Sequence, residues 1–391
     1  MILLCDQYVG ASPARVAQKH QNSWPGIEKA PNREWGLGIL WALALVFACF
    51  GLGCGPERPL RPHLVLVTLD TTRADHLGAY GYEPPTSPHF DALALEAHRY
   101  TEAYSTSSWT LPAHASLFTG QFPSTHGAQY AADGALALDR AIEAPAGVRA
   151  RSLPAATPTL AGLLGRAGYH SAGFVAGPWL LRRFGLARGF DHWDDSGILD
   201  HGGRPAADVT GAAIEWLRTR PEGPFLLFLN YFDPHFPYEP GPDDARHFLP
   251  PGTDPDPTRR EQWGALYDAE IRSMDASLGE LLAFLREADL YDDTLIVVTS
   301  DHGELLGEHE EWGHGRLLYQ ELVRVPLLVK PAEAAPIARV IERRTQPVDV
   351  FRWLLEAAGV SPPPETAGPE HPVLAEVHSL SPKDPGRTRV A

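Results

Sequence analysis

The 391 residues carry 33 Lys and Arg against 49 Asp and Glu, a net charge of −16, and only three cysteines. Cys5, Cys49 and Cys54 all fall near the N-terminus, which excludes a disulfide scaffold, a Cys-ligated zinc site and a thiolate nucleophile from Arg61 onward. The acidic excess excludes nucleic acid as a partner, because neutralising phosphates needs clustered Lys and Arg.

In chain order, residues 1–34 read as a leader. The run WGLGILWALALVFACFGLG follows Lys29 and Arg33, is uncharged and has about the length of a membrane span. Residues 35–54 therefore read as a signal anchor, a signal peptide, or a lipoprotein signal with Cys54 as the lipidated residue. The expectation is export and membrane attachment through this segment, in a periplasmic or other extracytoplasmic location. Residues 55–61, rich in Pro, Gly and Arg, read as a linker.

From residue 62 to 360, short apolar runs alternate with helical stretches. HLVLVTLD, SAGFVAG, PFLLFLNYF, TLIVVTSD and VPLLVK have the character of buried strands, and Glu261 to Ala288 has helical spacing. This alternation predicts an α/β fold, a doubly wound, mostly parallel sheet with helices on both faces. Residues 130–158 and 238–260 lack periodicity and read as surface insertions, and 361–391 as a Pro-rich tail.

Chemistry in such sheets collects at the C-terminal ends of strands. Asp70 ends the first strand, Asp301 and His302 follow the fourth, and the third runs into Asp233, Pro234 and His235. Each taken singly is a common cap or turn former; together they form a candidate divalent-metal cluster on rigid supports. Thr110, two residues before Pro112 and at the head of a helical stretch, is expected at or near a helix N-cap. There it either simply caps the helix or presents a hydroxyl where free N–H groups favour an anion. Glu304 and His309, just beyond the Asp-His pair, read either as support behind the candidate ligands or as a solvated loop, and Arg73 with Asp75 as a structural ion pair.

The segments LVTLDTTRADHLGAYGY, TLPAHASLFTG with PSTHG, FDPHFPY, TSDHGELLGEH and GRLLYQELVRVPLLV resemble the sulfatase family of the alkaline phosphatase superfamily, in the family's order. The resemblance implies hydrolysis of sulfate or phosphate esters at a metal, with Asp70, Asp301 and His302 as ligands and Thr110 as metal-bound nucleophile. It also implies a small anionic ester, or a sulfated or phosphorylated glycan or lipid, as substrate. The family usually closes with a small antiparallel sheet and a helix, so the C-terminal subdomain is expected to be reduced.

The departures matter as much. Where sulfatases have a cysteine or serine converted to formylglycine, followed by Pro and Arg, this chain has Thr110, Pro112 and His114. No formylglycine is expected, and the segment resembles instead the Thr-x-Pro-x-His context of nucleotide pyrophosphatases/phosphodiesterases, which puts His114 in the catalytic set. The family's Gly-Lys-Trp-His signature is replaced by AGPWLLRRFG, leaving Arg182 and Arg183 as candidate substrate-anion contacts. The lysine expected after the Asp-His pair is replaced by His314. His302, where an amide is common, shifts the expected metal toward Zn or Mn, with Ca as the family alternative. One metal leaves His235 and His314 as leaving-group acid and anion donors; a second metal would take Asp233, His235 and His314. Two further readings keep the fold: a membrane-tethered transferase of phosphoryl-linked head groups, and an inactive binding protein.

Overall fold

The computed structural model describes residues 61–136, 149–199, 202–378 and 388–390. The leader and the apolar segment 35–54 lie outside them, as does Lys383. Among the described residues no helix is long and apolar enough to cross a membrane.

Side-chain alternation along the buried runs builds two cores at once. Strand β1 (His63–Leu69) sends Val65, Val67 and Leu69 to one face and Leu64 and Leu66 to the other, as a period of two requires. Seven further strands complete the sheet: β2 (His98–Tyr100), β3 (His170–Phe174), β4 (His192–Asp194), β5 (Phe225–Tyr231), β6 (Thr294–Thr299), β7 (Leu327–Lys330) and β8 (Arg339–Ile341). Their order is β8, β2, β7, β6, β1, β5, β3, β4. Every pairing is parallel except the two made by β7.

The VPLLVK run thus joins the sheet against the prevailing direction. Between Thr299 and Leu327 the only α-helix is the single turn Gln320–Val323. Without a crossover element, the chain re-enters the sheet at the end where β6 left it. Strands β2, β4 and β8 have three residues each, so their sequences carry no apolar run long enough by which to find them.

Helices α1 (Pro88–Ala94), α2 (Thr110–Thr119), α3 (Leu160–Arg166), α4 (Ala206–Thr219), α5 (Trp263–Glu287) and α6 (Pro347–Ala357) flank the sheet. Apolar residues of α1, α4 and α5 pack with Val65 and Val67, and those of α2, α3 and α6 with Leu64 and Leu66. Every residue of α2 is buried. It ends at Gly120 with φ +67, where a Cβ would stand 2.5 Å from the ring of Phe351 on α6. Lys330 is buried and donates to the carbonyls of Tyr291 and Thr294, at the end of β6 away from Asp301.

Asp275 on α5 caps α1 from across the core, accepting from the N–H groups of His89 and Phe90, both at 2.8 Å. Asp275→Ala leaves two buried donors unpaired. It should cost about 1–3 kcal/mol and lower Tm by several degrees, measurable by calorimetry; an unchanged Tm would contradict the assignment.

The expected insertions carry structure of their own. Tyr130–Leu136 pairs with Arg149–Ala150, and 238–260 contains the helix Pro242–Phe248. The Pro-rich tail is part of the body. Ala367 N–H donates to Gly120 O, Leu374 and Gln346 exchange two hydrogen bonds, and Glu376 binds the Ser124 N–H and hydroxyl. Glu376–His378 then pairs antiparallel with Thr388–Val390, a two-stranded ribbon where one strand or so was expected.

Candidate active site

Asp70, Asp301 and His302 come from the ends of adjacent strands, and their ligand atoms all lie within 4.8 Å of one another. All three are buried. Asp70 Oδ2 accepts from Asn230 Nδ2 at 3.4 Å while its Oδ1 has no hydrogen-bond partner. Asp301 Oδ1 accepts from the N–H groups of Thr71 (3.3 Å) and His302 (2.9 Å), and its Oδ2 has no hydrogen-bond partner. Burial pushes both carboxyls up, and Asp301 raises Asp70 further. Two bare carboxylate oxygens that repel each other, beside an imidazole nitrogen, have the composition of a divalent-cation site. His302 Nδ1 donates to Gly303 O at 3.0 Å, which leaves Nε2 with its lone pair free.

The loop behind this cluster is clamped. Thr71 has φ +53, a left-handed conformation uncommon outside glycine. Its N–H bonds Asp301, its hydroxyl donates to Pro234 O at 2.9 Å and its carbonyl accepts from Tyr267 at 2.8 Å. Arg73 pairs with Asp75 and Glu308, the structural ion pair expected for Arg73.

Thr110 is the first residue of α2 rather than its cap. Trp109 occupies the cap position, and no side chain there bonds to the helix N–H groups. The Thr110 hydroxyl stands instead 3.2 Å from His302 Nε2. Hydroxyl, imidazole lone pair and both carboxylates thus converge, and the simple capping alternative does not describe Thr110.

His114 lies one turn along α2 and is fully buried. It bonds Thr110 O through Nδ1 and Thr68 Oγ1 through Nε2, each at 2.9 Å, with Asp301 Oδ2 3.5 Å from Nδ1. Burial pushes its pKa down, so it is neutral. His114 thus anchors the turn that carries Thr110 to β1.

His235 and His314 do face each other, with ring centroids 5.0 Å apart, and His314 lies 4.5 Å from His302. Burial lowers His235 to about 3 and His314 to about 4. His314 Nδ1 bonds Glu304 Oε1 at 3.0 Å. Glu304 is wholly buried, so the solvated-loop reading does not hold for it; burial raises its pKa to about 7, and Tyr238 lies close to it. His309 is indeed exposed, stacked on Tyr319.

Asp233 does not join His235 and His314. Both its oxygens accept from the Ala206 N–H, at 3.2 and 3.0 Å, at the head of α4. The Asp-Pro-His turn leaves Asp233 at the head of α4 and His235 facing His314. Among the described residues, Asp70, Asp301 and His302 are the one group that gathers ligand atoms in this way, so the second-metal set has no counterpart. A single metal per chain by elemental analysis, unchanged in Asp233→Asn, is the expected result; two per chain would overturn it.

Arg182 is engaged elsewhere, bonding the Trp193 carbonyl at 2.6 Å and Asp195 at 3.4 Å. Arg183 is exposed on the same turn. Asn230, near the end of β5, touches Asp70 instead. Its Oδ1 accepts from the N–H groups of Ala176 and Gly177, and its Nδ2 donates to Thr68 and Asp70. Sequence reasoning passed over Asn230, although one amide inside the otherwise apolar and aromatic FLLFLNY is a signal.

A parallel-centred sheet with carboxylates, imidazole and hydroxyl converging at its C-terminal strand ends defines an alkaline phosphatase-like hydrolase scaffold. The chain belongs to the sulfatase family, whose model, Sulfatase, matches residues 62–360. It is 27% identical over 311 residues to the ulvan-active sulfatase of Formosa agariphila, covering 70% of this chain and 57% of that protein, so it spans less than two thirds of that relative's length. A solved structure in complex with its substrate D-glucosamine-2-N,6-O-disulfate matches with TM-score 0.66 and 20% identity, covering 83% of this chain and 85% of that one. The phosphonate monoester hydrolase of Agrobacterium radiobacter matches with TM-score 0.61 and 19% identity, covering 82% and 80%.

Proposed function

We propose that this protein is a metal-dependent hydrolase of anionic esters, sulfate esters or phosphonate monoesters, that uses Thr110 as nucleophile. The observation that carries this reading is the 3.2 Å approach of the Thr110 hydroxyl to His302 Nε2 beside two buried carboxylates with unpartnered oxygens. Asp70, Asp301 and His302 would hold the divalent cation, Zn or Mn by the imidazole in the set. Bound there, it would supply positive charge that favours the threonine alkoxide and offsets the charge of the ester anion. Thr110 Oγ1 then bonds to sulfur or phosphorus as the leaving oxygen departs with a proton, and water later releases the anion from the threonine. His114 fixes the Thr110 carbonyl and so the direction of attack. Glu304 holds the His314 ring through Nδ1, and His235 faces that ring, so the two imidazoles flank the leaving-group side.

The test is an activity panel of aryl sulfate, phosphate monoester, phosphodiester and phosphonate with Zn, Mn or Ca supplied. Turnover that survives Thr110→Ala would refute the nucleophile, and product formed only when an acceptor alcohol is added would make the protein a transferase. Glu304→Gln keeps the shape but weakens the hold on His314, and should lower kcat about a hundredfold; activity within twofold of wild type would remove Glu304 from the mechanism. The apolar segment 35–54 supports export and attachment to a membrane, which fractionation of the full chain and of Cys54→Ala tests.

A further inference from the structure

Beside His235 and His314 lies an aromatic group that the hydrolytic chemistry leaves unused. Phe236, directly after His235, is 44% exposed. Its ring is 5.1 Å from Trp263, which stands 4.9 Å from Trp312, two residues before His314. Trp263 is held by its Nε1 donating to Pro257 O at 2.7 Å. Phe236 and Trp263 both pack on Tyr238, which lies close to Glu304, so the aromatic group is continuous with the site.

Arg260 completes it. Its guanidinium lies over both indoles, 5.5 Å from the Trp263 centroid and 5.4 Å from that of Trp312. Neighbouring Arg259 pairs with Glu261, but among the described residues no carboxylate forms an ion pair with Arg260. In a chain of net charge −16, this places a cation on the aromatic group that adjoins His314. Stacking on indoles orients the guanidinium and leaves its N–H edge open to an anion.

Resting on the hydrolase reading above, the geometry points to Phe236 and Arg260 as the subsite for the leaving group: a sugar ring lying on Phe236 and carrying a second anionic group, sulfate or carboxylate, bound by Arg260. The aromatic face accepts the apolar face of the ring, and the planar guanidinium takes the second anion in bidentate fashion. The substrate is then a glycan unit with at least two negative groups, one cleaved and one recognised.

The probes are D-glucosamine-2-N,6-O-disulfate and glucosamine 6-O-sulfate, titrated by calorimetry into metal-loaded Thr110→Ala, where the sugars are not consumed. The disulfate should bind about tenfold more tightly. Adding Arg260→Gln should erase that preference, Arg260→Lys should restore part of it, and Phe236→Ala should weaken both sugars alike. No preference in the parent, or a preference untouched by Arg260→Gln, overturns the subsite. The ratio of the two affinities is insensitive to general damage by a substitution. The failures are distinguishable: wild type that cleaves aryl sulfate or phosphonate yet shows no Arg260-dependent preference loses only the subsite. Protein that shows the preference but cleaves no ester loses the hydrolase reading and keeps the sugar-binding surface.

Discussion

Thr110→Ala should reduce turnover by about four orders of magnitude or more, the usual consequence of removing a covalent nucleophile, while leaving the fold in place. The substitution deletes one hydroxyl whose contact is the 3.2 Å approach to His302, and the backbone of α2 stays anchored by His114 to Thr110 O and Thr68. Loss of one such bond costs about 1 kcal/mol, so Tm should move by only a few degrees. Thr110→Ser should retain part of the activity, since it keeps the oxygen but loses the methyl group that restricts χ1. Steady-state kinetics and thermal unfolding on the same samples decide the matter. Equal activity in the alanine variant, or unfolding of both variants, would contradict this account.

Asp70→Asn should give a crossed result. In protein stripped of metal by chelation the variant should be more stable than wild type, because wild type then holds two buried carboxylates with bare oxygens and no compensating charge. The gain is about 1–3 kcal/mol. With metal supplied the order should reverse: at a hundredfold excess over Kd, a bound ion adds about 2.7 kcal/mol to wild type, and the variant has lost a charged ligand. The pH dependence has a definite sign. The Asp70 pKa is raised in the folded state above 3.8, so stripped wild type is most stable below that value and loses stability as pH rises toward the folded pKa. The variant should lose less over the same window. Thermal unfolding with and without chelator, across pH, reads both; parallel curves for the two proteins would refute a charge-repelling ligand pair.

Much of the centre could be read along the chain because each strand ends where its chemistry begins. Asp70, Asp301 and His302 each follow an apolar run, and Thr110 heads a helical stretch beside Pro112. Glu304 could not be read in this way. Its neighbours include two glycines and charged residues, and its hydrogen-bond partner His314 reaches it only because the chain between them folds back. Asp233 and His235 are grouped by residue type as possible metal ligands, but the turn separates their side chains. Arg182 had a charge of the right sign, but Asp195, thirteen residues on, claims it.

The sequence by itself determined the two-sided sheet, because alternating apolar side chains can satisfy both faces only when helices cover both. It also determined the absence of a cysteine nucleophile beyond Arg61, which is a matter of composition. Only the tertiary structure decided that β7 runs antiparallel, that the tail is stitched to α6 and α2, and that His114 ties the head of α2 to β1. Those outcomes depend on contacts between segments far apart in the chain, where burial and hydrogen-bond partners are set by packing and not by local preference. The same holds for Arg260: in sequence it is one of three charged residues in a row, and its place over Trp263 and Trp312 exists only in the fold.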